Sequence, residues 1–287
     1  MNSSTSNIIG IDMGGTTIKG AVVAHNAISG DIFKVAVNSS GTEEDVLTDL
    51  FSLIEKLLKP NIAAIGIGVP GLVDTFSGKV FDVINIPSWK EVDLKTILEE
   101  KYKLPVSINN DANCFALGEF YFGKGIDINN MIGLTVGTGL GSGIIINGKI
   151  YNGSNGGAGE FGMVQYLDHI YEYYASGQFF KNKYGVNGPI IFEKAKANNT
   201  EALSMYNEMG YHLGKAIQMM MYAYDVELII IGGSVKQAWP YFSQAVWQSL
   251  RNGFGFQKSL DKLRIEISEL QNSGILGAAG LHYQRLT

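Results

Sequence analysis

The chain has 287 residues, 46% hydrophobic and 17% charged, with a formal net charge of -5. That length suits two domains of ordinary size, and the low charge content points to buried surface rather than disorder. The acidic balance and the scattered lysines exclude a nucleic-acid surface, which needs a basic stripe. A single cysteine, Cys114, excludes an intramolecular disulfide and a multi-cysteine zinc site. The polar start, 1–7, lacks the apolar core of a signal peptide. No apolar run reaches the roughly 18 residues that a spanning helix needs, so a cytoplasmic protein without membrane contact is expected.

The 36 glycines are not spread as a linker but cluster at 66–71, 123–125, 133–143, 153–162 and 232–233. Glycine there lets a backbone turn tightly or approach a ligand.

In chain order, 8–13 and 18–24 predict strands around Gly14-Gly15-Thr16-Thr17, and 31–37 a third strand. Residues 43–59 carry one apolar helical face, acids in the first turn and lysines in the last, and Pro60 ends the helix. A buried strand at 62–69 breaks at Pro70-Gly71. A helix over 93–102, a short strand over 106–109 and a helix over Asp111–Phe122 follow. Then the opening pattern returns: a strand over Met131–Val136, a glycine loop at 137–143, a strand at 144–146 and the hairpin turn Asn147-Gly148. Ile9-Gly10-Ile11 matches Ile132-Gly133-Leu134, and Gly14-Gly15-Thr16 sits where Gly137-Thr138-Gly139 sits. A strand, glycine turn and strand is common in β-rich proteins, but the later βαβα order repeats too, which favours a duplicated core. Helices are predicted at 173–183, 189–196, Thr200–Tyr224, 243–251 and 275–284, with strands at 228–231 and 264–268.

Five stretches carry chemistry. In Asp12-Met13-Gly14-Gly15-Thr16-Thr17, free amides and hydroxyls suit phosphate oxygens, and the acid suits Mg²⁺ held through water; the alternative is a plain hairpin. There is no P-loop pattern, and neither glycine cluster opens a helix as a Rossmann turn does. The loop 137–143 offers Thr135, Thr138 and Ser142 hydroxyls as a partner for the first loop. In Asn109-Asn110-Asp111-Ala112-Asn113 the alternative is a helix cap, but an aspartate there also suits a base that accepts a hydroxyl proton. Glu160, in a run of small residues, suits vicinal sugar hydroxyls; Glu172, among tyrosines, is either a second such carboxylate or a solvated helix position. Gly232-Gly233 follows a buried strand, as a flat ligand or a simple strand-to-helix turn would both require.

Taken in order, Asp-x-Gly-Gly-Thr, Gly-Val-Pro-Gly, Asn-Asp-Ala-Asn, Gly-Thr-Gly-x-Gly-x-Gly, Ala-Gly-Glu-x-Gly and Ile-Gly-Gly-Ser resemble the ROK family of sugar kinases, repressors and open reading frames, along essentially the whole chain. The resemblance implies an α/β protein of the actin-like ATPase (ribonuclease H-like) fold: two duplicated domains with a cleft between them. The domains are expected at 1–114 and 115–272, with the closing helix, about 273–287, packing back on the first. Carried over by residue, Asp12, Gly14, Gly15, Thr16, Thr17 and Lys19 hold the ATP phosphates with Thr138 and Gly139, and Gly232 and Gly233 the adenosine. Asp111 is the catalytic base. Asn110, Asp111, Glu160, Glu172 and Gly78 bind the sugar, and Asn85-Ile86-Pro87-Ser88-Trp89 flanks it.

The family commonly has a histidine after Gly-Glu-x-Gly and then three zinc-binding cysteines. Here Met163 stands in that place and 164–169 has no cysteine, so no zinc site is expected and sugar choice is the open point. The family's repressors carry a winged helix ahead of the kinase-like body; with the first strand near Ile8, none is expected here. The expected activity is an ATP- and Mg²⁺-dependent hexokinase of glucokinase type, acting at the 6-hydroxyl. The alternatives are kinases of N-acetylmannosamine or N-acetylglucosamine, fructose or a β-glucoside, and, in another class, a non-catalytic sugar sensor. The expected partners are a hexose or hexosamine, and a second copy in a homodimer.

Overall fold

The computed structural model describes residues 6–83 and 85–285. The start of the polar segment, 1–5, and the last two residues of the expected closing helix lie outside the described residues. By its contacts the chain falls into two units, one made of 1–129, 143–158 and 269–287, the other of 130–142 and 159–268.

The first unit opens with an antiparallel meander: β1 (Asn7–Met13), β2 (Thr17–Ala24) and β3 (Ala27–Ala36). Helix α1 (Glu43–Leu57) starts at a capping box, in which Thr42 and Asp45 satisfy each other's backbone N–H. Strand β4 (Ile62–Val69) lies parallel to β1. A small sheet of β5 (Leu72–Asp74), β6 (Lys79–Phe81) and β7 (Glu91–Val92) follows; its strands are too short to show a period in the sequence. Helix α2 (Leu94–Tyr102), strand β8 (Val106–Asn110) and helix α3 (Asp111–Phe122) complete the run, with β8 parallel to β4. The main sheet has the order β3-β2-β1-β4-β8.

Its central strands β1 and β4 are buried on both faces. Ile9, Ile11 and Met13 of β1 pack with α1 and α2 residues such as Leu50, Ile54 and Leu98, whereas the alternate residue Ile8 packs with Ile275, Leu276 and Ala279.

Next come β9 (Met131–Val136), β10 (Leu140–Ile146) and β11 (Lys149–Ile150). Asn147 and Gly148 both have positive φ, 51° and 74°, as the two-residue hairpin turn requires. The glycine-rich stretch expected as a loop over 137–143 is loop only to Gly139; from Leu140 onward it is strand. The glycine at 143 serves packing, since a Cβ there would lie 2.7 Å from the Ala112 carbonyl oxygen and from the Ala116 Cβ of α3.

The second unit continues with the short hairpin β12 (Gln165–Tyr166) and β13 (His169–Ile170). The single helix expected at 173–183 is two, α4 (Tyr171–Ala175) and α5 (Phe179–Tyr184), because Ser176 is extended and breaks the first. Helix α6 (Gly188–Lys196) and the long α7 (Thr200–Tyr224), capped by the Asn199 side chain, follow. Strand β14 (Leu228–Gly232) leads to α8 (Trp239–Gly253), α9 (Gln257–Leu260) and β15 (Arg264–Ile267). The second sheet has the order β11-β10-β9-β14-β15, with β14 parallel to both β9 and β15. Numbering each set of five in chain order gives 3-2-1-4-5 twice, so the repeat seen in the glycine turns extends to the whole sheet.

The last helix, α10 (Ser273–Arg285), belongs to the first unit and packs on α3, β1 and β4. The sequence boundary expected after 114 falls inside α3, which runs unbroken from Asp111 to Phe122 and groups with the first unit.

Candidate active site

In the first unit the parallel strands align three positions in one row: Asp12 of β1 is in register with Gly68 of β4, and Gly68 with Asn109 of β8. Asn110 and Asp111 follow at once. The sheet therefore brings the first glycine turn and the candidate base to one edge, the carboxyl ends of its parallel strands, which is where open α/β sheets bind ligands.

The turn is held by Gly14 N–H donating to Thr17 O (2.9 Å) and Val37 N–H donating to Thr16 O (3.0 Å). Thr16 is exposed, and Asn85 packs so closely that a Cβ at Gly15 would overlap its side chain. Burial pushes the Asp12 carboxyl up, and Lys19, its cross-strand partner, pulls it back down. Gly274, in the first turn of α10, also faces it; a Cβ there would stand 2.9 Å from Asp12 Cγ.

At the β8–α3 junction the polar residues divide. Asn109 and Asn113 are buried and spent on structure. Asn109 Nδ2 donates to Asn152 Oδ1 (2.9 Å), and Asn113 Nδ2 donates to Asn109 Oδ1 (2.8 Å). Asn110 caps α3, its Oδ1 accepting from Ala112 N–H (2.8 Å) while its Nδ2 donates to Gly71 O (3.0 Å). Asp111 is exposed at the first position of the helix, with Oδ1 2.8 Å from Ala112 N. Gly78 lies in the β5–β6 turn with φ 73°, pressed against the Lys95 side chain.

The second unit holds the other predicted residues. Gly232 of β14 is in register with Thr135 of β9, so the turns after these strands, at Gly137-Thr138-Gly139 and Gly233-Ser234, share an edge. Gly233 has φ 81° and sits over the Val136 backbone, where a side chain would not fit. Beside these turns is a cavity of about 780 Å³, lined by Gly137, Thr138, Ser234 and Val235, and by Gln178, Lys181, Phe180, Asn187, Gly188, Tyr206 and Gln237. The sequence reading missed this second group. Its one signal was Ser-Gly-Gln at 176–178, a break inside a stretch otherwise patterned as helix.

Burial pushes the Glu160 carboxyl up, and the charge of Glu172 adds to that. Glu172 itself is committed to backbone: its Oε2 accepts from Leu140 N–H (2.9 Å). Met163 is 61% exposed. The nearby β12–β13 hairpin is pinned by aromatic rings: Tyr166 stacks on Tyr171 at 4.2 Å, and its hydroxyl lies 3.0 Å from His212 Nδ1. Tyr174 OH donates to Asp168.

Among the described residues no three His, Cys, Asp or Glu side chains group as a metal cage. No helix among them is long and apolar enough to cross a membrane.

The twin 3-2-1-4-5 sheets, each with a glycine turn at the carboxyl ends of its parallel strands, define an actin-like ATPase fold. The ROK family model matches residues 8–285, and the chain belongs to that family. A glucokinase of Halalkalibacterium halodurans is 30% identical over 96% of this chain and 95% of its own. A xylose repressor of Caldicellulosiruptor bescii is also 30% identical, over 96% of this chain and 77% of its own. The crystal structure of a ROK family glucokinase from Streptomyces griseus in complex with glucose and AMPPNP matches with a TM-score of 0.80 at 28% identity, covering 96% of this chain and 99% of that one.

Proposed function

We propose that this chain is an ATP-dependent sugar kinase that transfers the γ-phosphoryl group to the 6-hydroxyl of a hexose, glucose first. The observation that carries the reading is the row Asp12–Gly68–Asn109, which sets a phosphate-type turn and an exposed helix-terminal aspartate on one sheet edge. The relatives described as glucokinases agree with it.

Asp111 accepts the proton of the attacking hydroxyl, and Asn110 orients the sugar beside it. Backbone amides and hydroxyls of 14–17 and of 138–139 bind the phosphates, with Lys19 close to the first turn. Gly232 and Gly233 border the adenosine, for which the cavity lined by Thr138, Gln178 and Ser234 has room. Glu160 accepts from sugar hydroxyls, Glu172 does so through the carboxylate oxygen that Leu140 N–H does not take, and Gly78 supports the sugar side. Asp12 suits Mg²⁺ held through water, since it is a carboxylate at the end of β1 beside the first glycine turn. When bound, that ion neutralises charge on the β- and γ-phosphates.

An Asp111→Ala variant tests the role of the base. It should keep sugar binding and lose turnover by on the order of 10²–10⁴; full turnover would remove Asp111 from that role. The xylose repressor relative favours a second reading, a sugar-responsive protein without catalysis, which predicts sugar binding and no ADP release in the same assay.

A further inference from the structure

Only three residues, 137–139, join β9 to β10, and most of their polar backbone is already engaged. Gly137 N–H donates to Gly139 O (3.0 Å) within the loop. Three further bonds come from one neighbouring segment, 172–178. Gly177 N–H donates to Gly137 O (2.7 Å), Gln178 Nε2 donates to Thr138 O (3.0 Å), and Glu172 Oε2 accepts from Leu140 N–H (2.9 Å). Glu172 and the loop are in direct contact, since a Cβ at Gly139 would stand 2.5 Å from that same carboxylate oxygen.

We infer that Glu172 is a positioning residue for the nucleotide phosphates, holding the Gly139–Leu140 backbone so that the Thr138 and Gly139 N–H groups stay presented to them. The inference rests on the proposed kinase reading. A carboxylate beside a phosphate loop is electrostatically unfavourable for an incoming triphosphate, so its presence needs a structural return. That return is a charge-assisted hydrogen bond, roughly twice as strong as a neutral one. The same charge adds to burial in raising the Glu160 carboxyl, so one side chain is in electrostatic contact with the candidate sugar carboxylate and in hydrogen-bond contact with the phosphate loop.

The test is calorimetric titration of AMPPNP with Mg²⁺ in the absence of sugar, with hydrogen exchange at the Leu140 amide measured without any ligand. Glu172→Ala should weaken AMPPNP roughly tenfold, the loss expected for a hydrogen bond to a charged group, and should speed Leu140 exchange. Glu172→Gln keeps an acceptor and removes the repulsion, so it should bind AMPPNP at least as tightly as the wild type and leave exchange slow. Gly139→Ala should weaken AMPPNP as Glu172→Ala does, and adding it to Glu172→Ala should cost nothing further. Wild-type AMPPNP affinity in Glu172→Ala, or a Glu172→Gln variant as weak as Glu172→Ala, overturns the inference alone. A wild-type chain that binds no AMPPNP overturns the kinase reading, and this inference with it.

Discussion

The Asn113 side chain donates to Asn109 Oδ1 at 2.8 Å, joining the last residues of β8 to the first turn of α3 across the position of Asp111. Asn109 Oδ1 also accepts from Asn110 N–H at 2.8 Å, and its Nδ2 reaches Asn152. The junction is thus a buried amide knot with Asp111 at its exposed end. Asn109→Ala orphans several polar groups at once and should cost about 3 kcal/mol, read as a shift of the urea unfolding midpoint. A change under about 0.5 kcal/mol, the range of a neutral surface substitution, would contradict the knot.

Burial makes an ionised Asp12 a cost to stability. Burial raises its carboxyl above the ordinary 3.8, so the native state binds its proton more tightly than the unfolded chain does. Its contribution to stability is full below 3.8 and is lost as pH rises through the higher native value. Asp12→Asn should therefore melt at a higher temperature than the wild type at pH 8, with the gap closing toward pH 4, while phosphoryl transfer is lost. A lower melting temperature at pH 8 would refute the assignment.

Glu160 should make sugar affinity pH-dependent. Burial and Glu172 raise its carboxyl above the ordinary 4.5, and the ionised form accepts from hydroxyls more strongly than the protonated one. As pH falls, KM for sugar should begin to climb above the normal carboxylate range. In Glu172→Gln the repelling charge is gone, so the climb should start at lower pH. An unmoved profile would separate the two carboxylates.

Helix α10 depends on glycine for its seat. A Cβ at Gly277 would overlap the Cys114 carbonyl of α3, which is backbone and cannot swing aside. Gly277→Ala should destabilise by about 3 kcal/mol or more, at the upper end of overpacking costs. Chemical denaturation reads it, and near-wild-type stability would mean that α10 packs elsewhere.

Much of this was legible in the sequence where periodicity runs long. Helices over Asp111–Phe122 and Thr200–Tyr224 match to the residue, and the matched glycine turns anticipated two sheets of one order. Short elements were not legible: β5 to β7 have two or three residues each, too few to carry a period. Nor was the strand from Leu140, because glycines at 141 and 143 signal a loop, whereas Gly143 serves close packing on α3. At the candidate site, residue types pointed to Asp111 and the two turns as candidates. They could not tell which asparagine of 109, 110 and 113 is structural, or that Glu172 is bonded to Leu140 N–H, since both depend on contacts made across the fold.

The most direct test is ADP release with ATP and Mg²⁺ across glucose, fructose, mannose, N-acetylmannosamine, N-acetylglucosamine and a β-glucoside, for the wild type and Asp111→Ala. The account predicts sugar-dependent ADP release, greatest with glucose, and its collapse in Asp111→Ala while glucose binding by calorimetry persists. Sugar binding with no ADP release from the wild type for any member of the panel would contradict it.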